Sequence, residues 1–326
     1  MEARHDTVLL HEAVEGLDIK DGDVVVDATL GGAGHFKLLH EQLSSGADQD
    51  AGTLIGIDAD EAAIERARAA VAGLAKEQGP TVHLAHDNFR NLGDILDGHG
   101  IEKIDRALFD LGWSGYHLVS GRGFSFQTHE PLVMTYGEPG NGESAAELVN
   151  SATEEELADI FYTYGEERFA RGIARSIVAA RKKASIMTTD DLVVAVEAGT
   201  PSWYHHRKLH PATKTFQALR IAVNDELGAL REGLSTAIDR LACQGRIAVI
   251  TFHSIEDRIV KQMFRDAAHA GKGSLVNRKP IGPSAEELKE NPRARSAKLR
   301  IFSATPEGAS LYALSLAAPA AAVSYL

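Results

Sequence analysis

The chain has 326 residues, 44% hydrophobic and 25% charged, a globular composition long enough for two domains and a sizeable core. Its 34 Lys and Arg against 46 Asp and Glu give a formal charge of −12. That excludes attraction of nucleic acid over the whole surface, though not through a local basic patch. The single cysteine, Cys243, excludes a disulfide framework and a thiolate zinc site, and a reducing cytoplasmic setting is expected.

The first residues lack the basic stretch and apolar run of a signal peptide. The Ala-rich tail, interrupted by Pro319, reads as a docked or frayed segment and not as a membrane span. Four β-like runs then punctuate the first third, at 23–27, 53–58, 81–85 and 104–111. A helix opens at Asp60 as N-cap, with Ile64, Ala67, Val71 and Leu74 at helical spacing. Strand alternating with helix points to a parallel sheet wound in right-handed units.

The alternation stops after residue 112, and the next hundred residues read as helical. Thr153 and Glu156 form a capping box, Leu157, Ile160, Phe161 and Tyr164 line one side, and Gly165 closes the helix. Segments 166–183 and 189–198 follow. One long helix is expected from about Pro211, because Phe216, Leu219, Val223, Leu227, Leu230, Leu234, Ile238 and Leu241 make a continuous stripe. Gly245 would end it, and 245–252 reads as a buried fifth strand. The expected fold is α/β: a Rossmann-like sheet domain made of residues 1–112 and 211–326, interrupted by a helical substrate-recognition insert at 113–210.

The stretch VVVDATLGGAGH (24–35) runs from a strand into a glycine loop, which suggests a nucleotide-like ligand. A dinucleotide pyrophosphate wants backbone N–H groups and no nearby negative charge. Here Asp27 ends the strand, and the glycine fingerprint fails because Ala33 and Phe36 stand where glycines would be needed. S-adenosylmethionine carries an ammonium and a sulfonium and no phosphate, so a carboxylate at the loop mouth complements it. Gly31 and Gly34 permit close approach of the backbone. Asp58, ending the second strand, is placed to accept from ribose hydroxyls. Phe89 is placed to lie against an adenine, whose edge Asp87 or Asn88 could bond. Asp110 ends the fourth strand, near the reacting methyl. It could accept the hydrogens of an attacking amine or hold the cofactor, and the sequence leaves both open.

Together these motifs resemble the bacterial RsmH (MraW) family. The matching pieces include 5–17, DATLGGAGH (27–35), GIDADEAAI (56–64), FDLG (109–112), RGFSF (122–126), YGEERFARGIARSI (164–177), HPATKTFQALRIAVNDEL (210–227), TFHSIEDRIVK (251–261) and NPRARSAKLR (291–300). The resemblance implies methylation of the N4 amine of a cytidine in the decoding region of small-subunit ribosomal RNA, with S-adenosylmethionine as cofactor. It also implies a cofactor loop of Ala33, Gly34 and His35, with Asp58 on the ribose, Phe89 beside the adenine and Asp110 at the active end. His117 stands where the family uses a glutamine, and PLVMTY (131–136) stands where it reads PLDMRM, so that Val133 and Thr135 replace a charged pair.

From Arg258 to Arg300 there are eleven Lys and Arg against four Asp and Glu, the kind of local patch that grips phosphates. Arg293, Arg295, Lys298 and Arg300 are the first RNA-binding candidates, together with Arg122 and Phe124 of the RGFSF motif. Arg168, Arg171 and Arg175 on one helix face are a second set. WYHHRKLH (203–210) is a third, with Trp203 and Tyr204 able to stack on splayed bases beside Arg207 and Lys208. No metal is expected, since His205, His206 and His210 lack a clean ligand set. His253, with Glu256, is a candidate for catalysis, a structural hydrogen-bonding role being the bland alternative. The expected partner is small-subunit RNA, no membrane is expected, and a homodimer is left open. The rival functions are a non-catalytic ribosome-assembly factor that keeps the cofactor site and a nicotinamide-dependent oxidoreductase.

Overall fold

The computed structural model describes residues 7–44, 52–72, 74, 79–112, 115–137 and 142–305. Its strands are β1 (Val24–Asp27), β2 (Thr53–Asp58), β3 (Thr81–His86), β4 (Ile104–Asp110), β5 (Leu241–Thr251), β6 (Gly273–Leu275) and β7 (Lys298–Ala304). They form one sheet in the order β3-β2-β1-β4-β5-β7-β6. β1 to β5 are mutually parallel, and β7 runs antiparallel to both of its neighbours. The winding direction reverses between β1 and β4. In open α/β sheets the crevice beyond the strand carboxyl ends at such a reversal is where ligands sit.

Alternation along the strands builds two cores. Val25 points to the face packed by Leu9, Phe36, Leu39 and Ile64, while Val26 points to the face packed by Leu92, Leu230, Leu234 and Phe264. A third buried cluster belongs to the helical region and runs from Phe124 through Leu157, Phe161, Ile173 and Leu192 to Phe216 and Leu219. Helices Glu154–Gly165, Ala170–Arg181 and Thr189–Ala198 form here, and the Thr153–Glu156 capping box is present.

Two expectations change. The helix expected to run unbroken from about Pro211 until Gly245 is two helices, Thr213–Asn224 and Glu226–Arg240, and β5 begins at Leu241, four residues before Gly245. The two helices are joined at Asp225, whose φ of 45° is left-handed. The apolar stripe runs straight through the break because both helices face buried material, so periodicity alone gave no sign of it. The basic segment 291–300 is a short 3₁₀ turn followed by β7, and the sheet has two more strands than the five read from the sequence. No helix among the described residues is long and apolar enough to cross a membrane, and the Ala-rich tail lies outside the described residues.

Candidate cofactor and substrate cleft

A cavity of about 670 Å³ opens at the carboxyl ends of β1, β2 and β4. Its inner end is built from the first βα turn. Gly31 takes a φ of 47°, which only glycine adopts without strain, and turns its N–H to Asp58 Oδ2 at 2.9 Å. The other oxygen of Asp58 accepts from Asp60 N at 2.9 Å, so this carboxylate ties two loops together. Each oxygen keeps a second lone pair, and Asp58 lines the cavity. Burial raises its pKa. Ala33 caps helix Gly34–Leu43 in the left-handed conformation, at φ 64°, which explains why a small residue is needed there.

Asp27 is not where the sequence suggested. It is fully buried beneath the loop and is absent from the cavity wall; its Oδ1 accepts from Thr29 N, while Oδ2 has no hydrogen-bond partner among the described residues. Burial, reinforced by the Asp110 and Asp58 charges, pushes its carboxyl well above the usual range. The acid at the loop mouth is Asp110 instead. It lines the cavity, with Oδ1 buried and lacking a hydrogen-bond partner among the described residues and Oδ2 3.5 Å from His35 Nδ1. Burial, with the Glu256 charge adding to it, pushes the Asp110 carboxyl up to about 8. Phe89 lines the same end, edge-on to Phe109 at 5.6 Å. Gly34 and His35 also contribute to the wall, whereas the His117 side chain lies outside the described residues.

The outer end carries a polar cluster, of which the sequence points to His253 and Glu256 only. Arg220 donates to both oxygens of Glu226, at 2.8 and 2.9 Å, and the Tyr136 hydroxyl donates to Glu226 Oε1 at 2.8 Å. Burial raises the Tyr136 pKa well above its ordinary value. Tyr136 stacks on Phe124, with ring centroids 5.7 Å apart. Glu256 accepts from the backbone N–H groups of Phe252 and His253, and its Oε1 lies 3.1 Å from His253 Nε2. Burial opposes ionisation of Glu256, but His253, the Phe252 N–H and Arg220 outweigh it and hold the pKa low. His253 thus caps helix Ser254–His269 while facing the cavity. Glu226, His253 and Glu256 come within 4.8 Å of one another, a ligand set that sequence reading did not assemble. Arg220 already supplies the positive charge beside Glu226.

The RNA candidates separate. Arg293 and Arg295 are exposed and line the cavity mouth. Arg300 is only 4% exposed and pairs with Asp257 at 2.7 Å, and Lys298 sits 3.2 Å from the same carboxylate. Arg300 is therefore an internal residue of β7 and does not face a phosphate. Arg122 is likewise committed inward. Its guanidinium donates to the carbonyls of Thr135, Tyr136 and Gly137, fixing the 131–137 loop over the cleft. Phe124 is buried against Tyr136.

The cleft suits a phosphate-free cation. Asp58 and Asp110 line it, Asp27 lies just behind, and Asp110 Oδ1 is a buried acceptor awaiting a partner. A pyrophosphate would meet the carboxyl groups of Asp58 and Asp110, with Asp27 buried behind them. An α/β sheet of this order with an acid-lined cleft at its reversal point defines a nucleoside-cofactor enzyme whose cofactor is cationic. Residues 2–305 match the MraW methylase family, and the chain belongs to that family. Among its relatives, the ribosomal RNA small subunit methyltransferase H of Brevibacillus brevis is 44% identical over 313 residues, covering 91% of this chain and 96% of that protein. The enzyme of the same name from Deinococcus radiodurans is 47% identical over 309 residues, covering 93% and 91% respectively. A solved rRNA methylase from Streptococcus thermophilus aligns with a TM-score of 0.42 at 12% identity, covering 92% of this chain and 98% of that one.

Proposed function

We propose that the chain transfers a methyl group from S-adenosylmethionine to the N4 amine of a cytidine in the decoding region of small-subunit ribosomal RNA. The observation that carries this reading is the single cavity joining an acid-lined cofactor end to a polar end on the other side of Asp110. The names of the relatives support the RNA. We also propose that the helical insert extends past residue 210, since Ala212, Phe216 and Leu219 pack into its core.

When bound, S-adenosylmethionine supplies an electrophilic methyl group. Asp58 holds the ribose through its remaining lone pairs, and Phe89 packs beside the adenine. Asp110 accepts a hydrogen bond from the amine and then its displaced proton. Asp110 would ionise more readily beside a cationic cofactor and could then act as the acceptor. Glu256, kept ionised by His253, the Phe252 N–H and Arg220, adds negative charge that favours the protonated form of Asp110. Arg293 and Arg295 hold phosphates at the mouth while the cytidine is extruded into the cavity.

The test is transfer from labelled S-adenosylmethionine to small subunits lacking the modification, with the product nucleoside identified by mass spectrometry. N4-methylcytidine at one decoding-region position is the expected product. Tight cofactor binding with no transfer to any RNA would favour a non-catalytic assembly factor.

A further inference from the structure

We propose that the exposed edge of the helical region around Trp203 is a base-stacking platform for single-stranded RNA flanking the target nucleotide, an inference that rests on the RNA reading above. Trp203 is 52% exposed, although it is one of the largest apolar side chains in the protein. Its position is fixed from below. Tyr204 is buried and donates its hydroxyl to the buried Glu167 at 2.8 Å, and the Tyr204 and Phe169 rings meet Trp203 edge-on at 5.8 Å each. Arg168 lies over part of the Trp203 ring, and the exposed half of the indole is what remains for another ring. Tyr204 itself is not available to RNA.

Two guanidinium groups lie beside the exposed Trp203, while Glu167 is buried beneath Tyr204. Arg168 lies 5.4 Å from the Trp203 ring, and Arg207 lies 5.0 Å from the Tyr204 ring. Neither guanidinium forms an ion pair among the described residues. His205, His206, Arg207 and Lys208 follow in sequence, all exposed, with no acid among them. A half-exposed indole beside two guanidinium groups that form no ion pair among the described residues is a combination that binds single strands by stacking and phosphate attraction together. A net charge of −12 makes this local excess stand out.

Two connections tie the platform to the cavity. The segment ends at His210, stacked on Phe126 of the cavity wall with centroids 4.7 Å apart. On the other flank, Glu166 accepts from Ser254 Oγ at 2.7 Å and from Arg258 at 2.8 Å, placing the Arg168 loop against the residue that follows His253. The segment that carries Trp203 thus reaches the cavity wall through His210, on the side where a strand entering the cavity would continue.

The chain has two tryptophans, Trp113 and Trp203, so in a Trp113→Phe variant Trp203 reports alone. Titration with a single-stranded oligoribonucleotide should quench its emission. In the otherwise native chain, Trp203→Ala should weaken binding of the labelled oligoribonucleotide about 10-fold, the loss of roughly one stacked base, with Trp203→Tyr retaining most of the affinity. Arg207→Ala should reduce the salt slope by about 1, whereas Trp203→Ala leaves it unchanged. Affinity for S-adenosylmethionine checks that each variant is folded. Tight RNA binding without quenching, or equal affinity for Trp203→Ala, overturns the platform. So does loss of binding to assembled small subunits with free RNA unaffected, which would assign the surface to a ribosomal protein. Methyl transfer is read separately: a chain that quenches on RNA but methylates none keeps the platform and loses the proposed reaction.

Discussion

Arg220 and Glu226 form a two-pronged ion pair, at 2.8 and 2.9 Å, across the left-handed turn at Asp225 that separates helices Thr213–Asn224 and Glu226–Arg240. Arg220 is 7% exposed, so it depends on this partner. The pair closes the break in what the sequence presents as one helix, and it also holds Tyr136 over the cleft. Glu226→Ala leaves a buried guanidinium uncompensated and should destabilise the fold by about 3–5 kcal/mol. Denaturant unfolding checks this; a loss below about 1 kcal/mol would mean that Arg220 finds water or another acceptor. Tyr136→Phe, which removes one hydrogen bond to a charged group, should cost about 1.5–3 kcal/mol.

Asp110 sets a pH dependence whose sign can be worked out. Its carboxyl titrates at about 8 in the folded protein against an ordinary 3.8. Between those values the native state holds a proton that the unfolded chain has released, so stability from this group is complete below about pH 4 and lost as pH rises through about 8. In the cofactor-free protein, Asp110→Asn should therefore gain on the parent in thermal unfolding from about pH 5 to about pH 8. Parallel profiles would place Asp110 in a far less demanding environment. A bound sulfonium reverses the preference. S-adenosylmethionine should bind more tightly as pH rises toward 8, while S-adenosylhomocysteine, which lacks the sulfonium charge, should respond less.

Asp58 joins the glycine loop to the end of β2 by accepting from Gly31 N and Asp60 N. Asp58→Ala removes those acceptors along with the ribose contacts, so cofactor affinity should fall by at least about 10-fold, the loss of a single good hydrogen bond to a charged group. Isothermal titration reads this directly, and an unchanged affinity would displace the ribose from Asp58.

Arg293 and Arg300 lie seven residues apart and should behave oppositely. Arg293 is exposed at the cavity mouth, so Arg293→Ala should weaken RNA binding and lower its salt slope by about 1 without affecting stability. Arg300 is buried on Asp257, so Arg300→Ala should cost about 3 kcal/mol of stability and leave the salt slope in place. A salt slope that changes with Arg300 and not with Arg293 would reverse the assignment.

This contrast marks how far the sequence could be read. β1 to β5 and the order of the loops were legible because period-2 runs and capping residues are local signals. Asp58, Phe89 and Asp110 line the cavity, a position that was legible because each ends or follows a strand. Asp27 also ends a strand, but its side chain turns beneath the loop, a direction that strand position does not specify. Arg300 read as one more basic residue because its partner, Asp257, is 43 positions away. The Tyr136–Glu226 contact spans 90 positions and has no local pattern at all.

Single-turnover methyl transfer by Asp110→Asn, with S-adenosylmethionine affinity measured on the same preparation, bears most directly on the cleft as a reaction site. Loss of the proton acceptor should lower the rate about 10²-fold or more even with the cofactor site saturated. A variant that binds cofactor and transfers methyl at the parent rate would contradict this placement and move the chemistry away from the end of β4.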